Sequence, residues 1–557
     1  MTKVLRADNV YTNRFLYALL IVSFLIVEMC AIATYALGPD ELMVWSIARG
    51  DSLSELLRRN TFEVHPPLEP LIRAGLFFLS DNVLVLRSLY CGVGLLTILT
   101  LSKAVSRSGS PAGALTLMSL LVLSPTIAHT SILLRGYVFL LLFLAFAVLL
   151  MSRICQHERS LSTRNVVALN GFLILAGLSH VSGFIVAPAV VATALVYGKP
   201  RDSRRTLLHL TISLLALGGI GGSVYVVQFA DGTGAAAWRA LVGSSLFREC
   251  AQFNAIDTVV TRIFHLLSFM PASLFSMRGS IVSGAIGLVV YFISLRRAQR
   301  LCPWIALFSL LGVACAAGAH GIGVYPLSSP RHMSFLVPAI LLPISHFVAG
   351  YISRFNLRGV MVGCVAAVQG VYAFSGAQFA RLPDFSMTRA TSEAISQKLF
   401  QLSERSSTIF TSRFGVLYLL MEKDSLRTFY MGPSAEHFSL SHAKVDACVD
   451  PLLWQTRHAS LKECISEEVR RHKGNDDDLV WFTSIGFSDN LLAEIRRVGM
   501  AAGLVTLDES SEGILLFQMP LRAVGDVLIR IAEGGYSDNH CAGPISDRVL
   551  SCERGLR

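Results

Sequence analysis

Residues 15–71 read FLYALLIVSFLIVEMCAIATYAL followed by GPDELMVWSIARGDSLSELLRRNTFEVHPPLEPL. The first part, residues 15–37, is an apolar run that reaches the roughly 20 residues a bilayer demands of a helix. Lys3, Arg6 and Arg14 precede it, which places its N-terminus on the cytoplasmic side. A leader cleaved near Ala33 or Ala36 is the rival reading, but the run exceeds the roughly 7–15 residue core of a signal peptide. The second part gathers Asp40, Glu41, His65 and the pair Pro66-Pro67 into one short loop after that span.

Composition agrees with the opening run. The chain has 557 residues, 53% of them hydrophobic and only 15% charged, with a mean hydropathy of +0.56. Such a balance, with the apolar residues in long runs, excludes an ordinary water-soluble globule and points to a polytopic membrane protein. The formal charge of +10 would raise nucleic acid as a partner in a soluble chain. Here the basic residues sit in short loops between apolar runs, so orientation in the bilayer accounts for them and no nucleic-acid partner is expected.

The apolar runs predict about eleven transmembrane helices, over residues 15–37, 82–102, 111–128, 135–151, 165–179, 181–197, 207–229, 279–295, 304–319, 333–352 and 359–379. Residues 165–197 read either as two short spans or as one kinked helix. Loops after alternate spans carry Lys103 and Arg107; Arg153, Arg159 and Arg164; Lys199, Arg201, Arg204 and Arg205; Arg296, Arg297 and Arg300; and Arg354 and Arg358. Basic loops recurring on one side obey the positive-inside rule, and one missed span would destroy the pattern. The expected topology puts 38–81, 128–135, 230–278, 320–332 and everything after 379 outside the cytoplasm. Within the first outer loop, Ser52–Asn60 and Pro67–Leu79 have the spacing of helices lying along the interface. Residues 231–262 form a second sizeable outer loop.

After Pro383 the pattern changes. Strands are predicted over 407–411, 426–431, 479–483, 504–507 and 514–518, and helices over 391–403, 415–422 and 489–498. This alternation suits a C-terminal extracytoplasmic α/β domain, 383–557, following a membrane domain, 1–382. Neither GxGxxG nor GxxxxGK occurs, so no phosphate loop is expected in it. Of the eleven cysteines, Cys30, Cys91, Cys315 and Cys364 lie in apolar runs and read as small apolar side chains. Cys448, Cys464, Cys541 and Cys552 fall in the polar part, where Cys448–Cys464 and Cys541–Cys552 disulfides suit an oxidising compartment, although sequence does not fix the pairing.

Several residues carry candidate chemistry. Asp40 and Glu41 offer a carboxylate for general-base work; Gly-Pro-Asp-Glu is equally a good helix start, with acids at the positive end of the dipole. His65 stands before two prolines that fix the backbone, which presents the imidazole in a defined direction toward a metal or a phosphate oxygen; a surface turn is the plainer reading. Arg135-Gly136-Tyr137 opens the fourth span, where the arginine either snorkels to the interface or pairs with an anionic headgroup. Arg331 and His332, at the end of YPLSSPRH (325–332), either clasp a lipid phosphate or anchor the tenth span. Glu28 and His346 lie mid-span, where ionisable groups are functional by default or bond to each other or a neighbouring helix.

The order of these signals (span, Asp-Glu, HPPL, a span entered through VLRSLYCGVGLLTIL, then LSPTIAHTSILLRGYVFLLLF) resembles the GT-C superfamily of integral-membrane glycosyltransferases. It is similar in particular to the protein O-mannosyltransferase, lipid A aminoarabinose transferase and lipopolysaccharide-core transferase group. The likeness covers residues 1 to about 350 and lies in the ordered set, since each short motif is weak alone. It implies a GT-C-like bacterial inner-membrane enzyme of the cell envelope with an outward-facing cavity, and a polyprenyl-phosphate-linked sugar as donor. The acceptor would be a glycolipid, a glycan or a protein, and transfer would invert the anomeric carbon. By the resemblance Asp40 is the catalytic acid and Glu41 completes its pair. His65, Arg135 and Tyr137 match the histidine-proline and Arg-x-Tyr elements, and Arg331 with His332 stands near the donor phosphate. Many relatives carry a second acid two residues before the arginine, where this chain has Leu133. That departure leaves a divalent cation an open question, with Glu41, Glu63, Glu69, Asp231 or His129 as substitute ligands. A transporter or flippase of lipid-linked sugars is the alternative; it predicts internal repeats and a charged mid-membrane path, and no convincing repeat is seen.

Overall fold

The structure is a computed structural model that describes residues 2–48, 52–60, 66–107, 110–156, 162–198, 203–225, 277–321, 325 and 330–375, together with six short strands between 409 and 520. The chain divides into two compact units: residues 1–34, 65–227 and 253–383 form the first, and 35–64, 228–252 and 384–557 the second.

The described part of the first unit is helical. It comprises α1 (Thr2–Thr34), α4 (Leu68–Phe77), α5 (Val83–Arg107), α6 (Pro111–Leu123), α7 (Pro125–Ile132), α8 (Tyr137–Cys155), α9 (Thr163–Ser179), α10 (Ser182–Tyr197) and α11 (Ser203–Tyr225). After residue 276 come α12 (Met277–Leu301), α13 (Pro303–Gly321), a 3-10 turn (Pro330–Leu336), α14 (Val337–Arg354) and α15 (Arg358–Ser375). Helix lies under the described part of each predicted span, but the span expected over 111–128 is two helices, α6 and α7, rather than one. Among the described residues six helices are long and apolar enough to cross a membrane, seven if α6 and α7 are one bent span. The helices α9 and α10 are apolar but short, and so is the stretch Thr211–Val224 of α11.

The packing of α1 shows why these helices are apolar all round. Leu20, Phe24, Val27 and Ala31 are buried, whereas Phe15, Val22, Ile26 and Met29 form an exposed apolar stripe. Water would penalise that stripe, and hydrocarbon would not. Val360, Val368, Val371 and Phe374 repeat the arrangement on α15.

Three interruptions of the helices shape the unit. Serine caps followed by an orderly first turn start α6, where the Gly113 N–H donates to Ser110 Oγ (2.9 Å), and α9, where the Asn165 N–H donates to Ser162 Oγ (3.3 Å). Pro125 ends α6 and bends the chain by 65° into α7. The carbonyl of Val122 beside that bend accepts instead from Gln369 Nε2 of α15 at 2.6 Å. The third interruption is His180, which has extended backbone (φ −160°, ψ 134°) and separates α9 from α10. Residues 165–197 are therefore two helices. They close tightly because Gly183 has no side chain: a Cβ there would lie 2.5 Å from the backbone at Ala176 and Gly177.

In the second unit the described elements are α2 (Pro39–Ala48), α3 (Leu53–Asn60) and a six-stranded mixed sheet. The strands are β1 (Ile409–Phe410), β2 (Glu436–Leu440), β3 (Ala443–Ala447), β4 (Leu479–Thr483), β5 (Thr506–Glu509) and β6 (Leu515–Pro520), in the order β2-β3-β1-β4-β6-β5. The short β1 runs parallel to β3 and β4, with Ile409 opposite Val445 and Trp481, and the flanking pairs are antiparallel. The strands expected at 407–411, 479–483, 504–507 and 514–518 coincide with or overlap β1, β4, β5 and β6. The hairpin β2–β3 was not foreseen. The strand expected at 426–431, the helices expected at 391–403, 415–422 and 489–498, the loop 231–262 and the four C-terminal cysteines lie outside the described residues.

Candidate functional site

The site is built at the breaks between helices of the first unit. After α7 the chain runs extended through Leu133 (φ −70°, ψ 120°), and the Arg135 N–H donates to the Leu133 carbonyl at 2.7 Å. Gly136 then passes against the end of α9. A Cβ on it would lie 2.0 Å from the Ser179 carbonyl oxygen, so only glycine lets the two segments touch. That contact brings Tyr137, the first residue of α8, over His180, with ring centroids 4.4 Å apart.

His180 is the centre of the cluster and is 1% exposed. Its Nδ1 accepts the Ser182 N–H (3.3 Å) and lies 2.7 Å from Ser182 Oγ. A backbone N–H can only donate, so on the neutral ring the proton belongs to Nε2. Tyr325 stands nearly perpendicular to His180, at 6.0 Å and 86°, and meets His332 and Phe335 edge-on at 6.1 and 6.0 Å. Its hydroxyl donates to the His332 carbonyl at 3.2 Å and also bonds Ser182. His332 returns to Tyr137, with ring centroids 6.3 Å apart.

Charge follows the same geometry. Burial holds the His180 imidazole well below its ordinary range, and His332, Arg135 and Arg331 push it lower. Burial raises the Tyr325 hydroxyl well above its ordinary range, as does Tyr137, against opposing pulls from Ser182 and Arg331. The cluster thus combines guanidinium groups that cannot lose their charge with neutral imidazole and phenol donors. Such a set is suited to an anion that offers several acceptor oxygens, a phosphate above all.

The structure therefore brings together Arg135, Tyr137, Arg331 and His332 of the residues expected from sequence. It adds His180, Ser182 and Tyr325. The signal for His180 was present in LSHVSG (178–183), the one polar interruption of a long apolar stretch, but nothing local tied it to Arg135.

His65 lies outside the described residues. Asp40 and Glu41 belong to the second unit, in the first turn of α2. Glu41 is fully buried, and its Oε2 accepts the Gly38 N–H at 2.8 Å. That is the return bond of a capping box, from the third helical residue to the residue before the helix. Glu28 and His346 do not bond each other: among the described residues neither carboxylate oxygen of Glu28 nor Nε2 of His346 meets a hydrogen-bond partner. No group of three or more His, Cys, Asp or Glu among the described residues is placed to hold a metal ion. Cys30, Cys91, Cys155, Cys302, Cys315 and Cys364 are free thiols.

Fold and site define a polytopic helical protein with a buried arginine, histidine and tyrosine cluster at its helix breaks. Among solved structures, the chain is similar to ArnT from Cupriavidus metallidurans bound to undecaprenyl phosphate, with a TM-score of 0.49 and 13% identity over 90% of this chain and 97% of that one. It is similar to the same protein in the apo state, with a TM-score of 0.48 and 13% identity over 92% and 98% of the two chains. No protein-family model and no curated protein matches the sequence.

Proposed function

We propose that the protein is a membrane glycosyltransferase that takes a sugar from a polyprenyl-phosphate-linked donor and passes it to a glycolipid, glycan or protein acceptor outside the cytoplasm. The observation that carries this reading is the convergence of Arg135, Arg331 and His332 on the buried His180–Tyr137–Tyr325 group. Breaking a sugar–phosphate bond leaves negative charge on the lipid phosphate. Fixed guanidinium groups and neutral N–H and O–H donors in a water-poor site stabilise that charge without reorganising.

In the proposed reaction the acceptor oxygen attacks the anomeric carbon while the bond from that carbon to the phosphate oxygen breaks. The electron pair leaves with the phosphate, and the acceptor proton passes to Asp40, so attack from the opposite face inverts the carbon. His65 stands among the proposed donor-binding residues through its place in HPPL. The membrane domain 1–382 would hold the site, and the extracytoplasmic 383–557 would help to hold the acceptor.

The test is binding of undecaprenyl phosphate to the purified protein in nanodiscs, followed by turnover with a panel of polyprenyl-phosphate sugars. Loss of a charge-assisted bond to phosphate corresponds to about 10- to 100-fold in affinity, so Arg135→Ala and Arg331→Ala should each weaken binding by that order. Asp40→Asn should bind normally and fail to transfer. Wild-type protein that ignores undecaprenyl phosphate at micromolar concentrations contradicts the donor assignment, and normal turnover by Asp40→Asn removes it as the base.

A further inference from the structure

A second charged group lies beside the cluster, against the Leu134–Gly136 segment. Glu69 and Arg73 are one turn apart on α4 and are 2% and 0% exposed. Arg73 Nη2 donates both to Glu69 Oε1 and to the carbonyl oxygen of Leu134, 61 positions further along the chain. Tyr90 of α5 donates its hydroxyl to the same Glu69 oxygen at 2.6 Å, and the Arg73 guanidinium stands over the Tyr90 ring at 6.0 Å.

Stability alone is a poor explanation for this group. Burying an ion pair costs desolvation that its attraction hardly repays, and apolar replacements of the whole pair are often neutral. Its distinctive feature is where the third bond goes. Leu134 sits in the break between α7 and α8, directly before Arg135, where the regular helical ladder is interrupted. The Glu69 carboxylate balances the charge of Arg73, so this guanidinium serves as a bracket and leaves anion binding to Arg135 and Arg331.

We infer that Arg73, held by Glu69 and Tyr90, is a positioning residue that fixes the Leu134–Tyr137 segment and thereby aims Arg135 at the donor phosphate. This rests on the proposed donor reading for its functional consequence, but the positioning can be measured without it. The variant Glu69→Gln/Arg73→Met removes both charges and the bond to Leu134 while keeping a partner for Tyr90. Hydrogen exchange followed by mass spectrometry should show the amides of residues 135–137 exchanging at least ~10-fold faster, with α5 and α14 unchanged. Undecaprenyl phosphate should bind ~10-fold more weakly. In an Arg135→Ala background the same pair of substitutions should cost less than in the wild-type background, because Arg73 acts through the segment that carries Arg135.

Unchanged exchange at 135–137, or an equal affinity loss in both backgrounds, would overturn the inference and leave Arg73 a general support of the fold. Wild-type protein without affinity for the lipid phosphate sinks the donor reading instead, and the exchange result then decides the positioning alone. Should the double variant not fold, Tyr90→Phe loosens only the hold on Glu69 and should move both readouts in the same direction by a smaller factor.

Discussion

Gly136 shows how much of the site depends on one missing side chain. Its backbone (φ −61°, ψ −9°) is open to any residue, so the demand for glycine is one of space. Overpacking of this kind costs about 1–3 kcal/mol, and Gly136→Ala should lower the melting temperature in detergent and weaken undecaprenyl phosphate binding together; a variant with unaltered melting and binding would show that α8 and α9 need not touch there. His180 gives a pH prediction. Burial and its cationic neighbours keep its folded-state pKa below the unfolded value. Between those two values the unfolded chain binds the extra proton, so stability rises with pH through that window and falls as pH drops below the ordinary histidine range. The contribution has a slope of up to about 1.4 kcal/mol per pH unit. Thermal melts of His180→Gln between pH 5 and 7.5 should be flatter than wild type. An identical slope would mean that His180 charges freely in the native protein.

Two elements set the frame for those residues. The bend at Pro125 turns α7 so that its C-terminal end delivers Leu133, Leu134 and Arg135, and Gln369 of α15 satisfies the Val122 carbonyl at that bend. A buried carbonyl deprived of its donor costs about 1–3 kcal/mol. Gln369→Leu should therefore destabilise the protein by that order in thermal melts, and a neutral effect would show the bend to be held by packing alone. The first turn of α2 poses a different question. A glutamine at the third helical position closes a capping box as glutamate does, so Glu41→Gln should retain turnover where Asp40→Asn loses it. Turnover that falls with Glu41→Gln would give the Glu41 carboxylate a chemical role beyond starting the helix.

At the scale of the whole molecule the proposal depends on sidedness. A cysteine placed at Ser52, exposed in the segment between α2 and α3, should react with an impermeant maleimide in intact cells. One placed at Arg204 should react only after the membrane is permeabilised. The native cysteines are replaced first to remove background, above all those of the segments expected outside the cytoplasm, Cys250, Cys448, Cys464, Cys541 and Cys552. The reverse pattern would put residues 38–81 in the cytoplasm and overturn the outward-facing site.

What the sequence determined by itself is local. Hydropathy marks the long apolar helices among the described residues, because a segment's partition into hydrocarbon depends on its own residues. Short motifs marked Arg135, Tyr137, Arg331 and His332 as residues worth pairing, whereas the break at Pro125 inside the span read over 111–128 was not foreseen. The tertiary structure alone decided who meets whom. His180 joins Arg135 only because Gly136 lies on Ser179, and Arg73 reaches Leu134 across 61 residues. Between helices in a bilayer the hydrophobic drive is nearly uniform, so close fit and a few polar bonds choose the partners. Both are properties of surfaces brought together, which no single stretch of sequence contains.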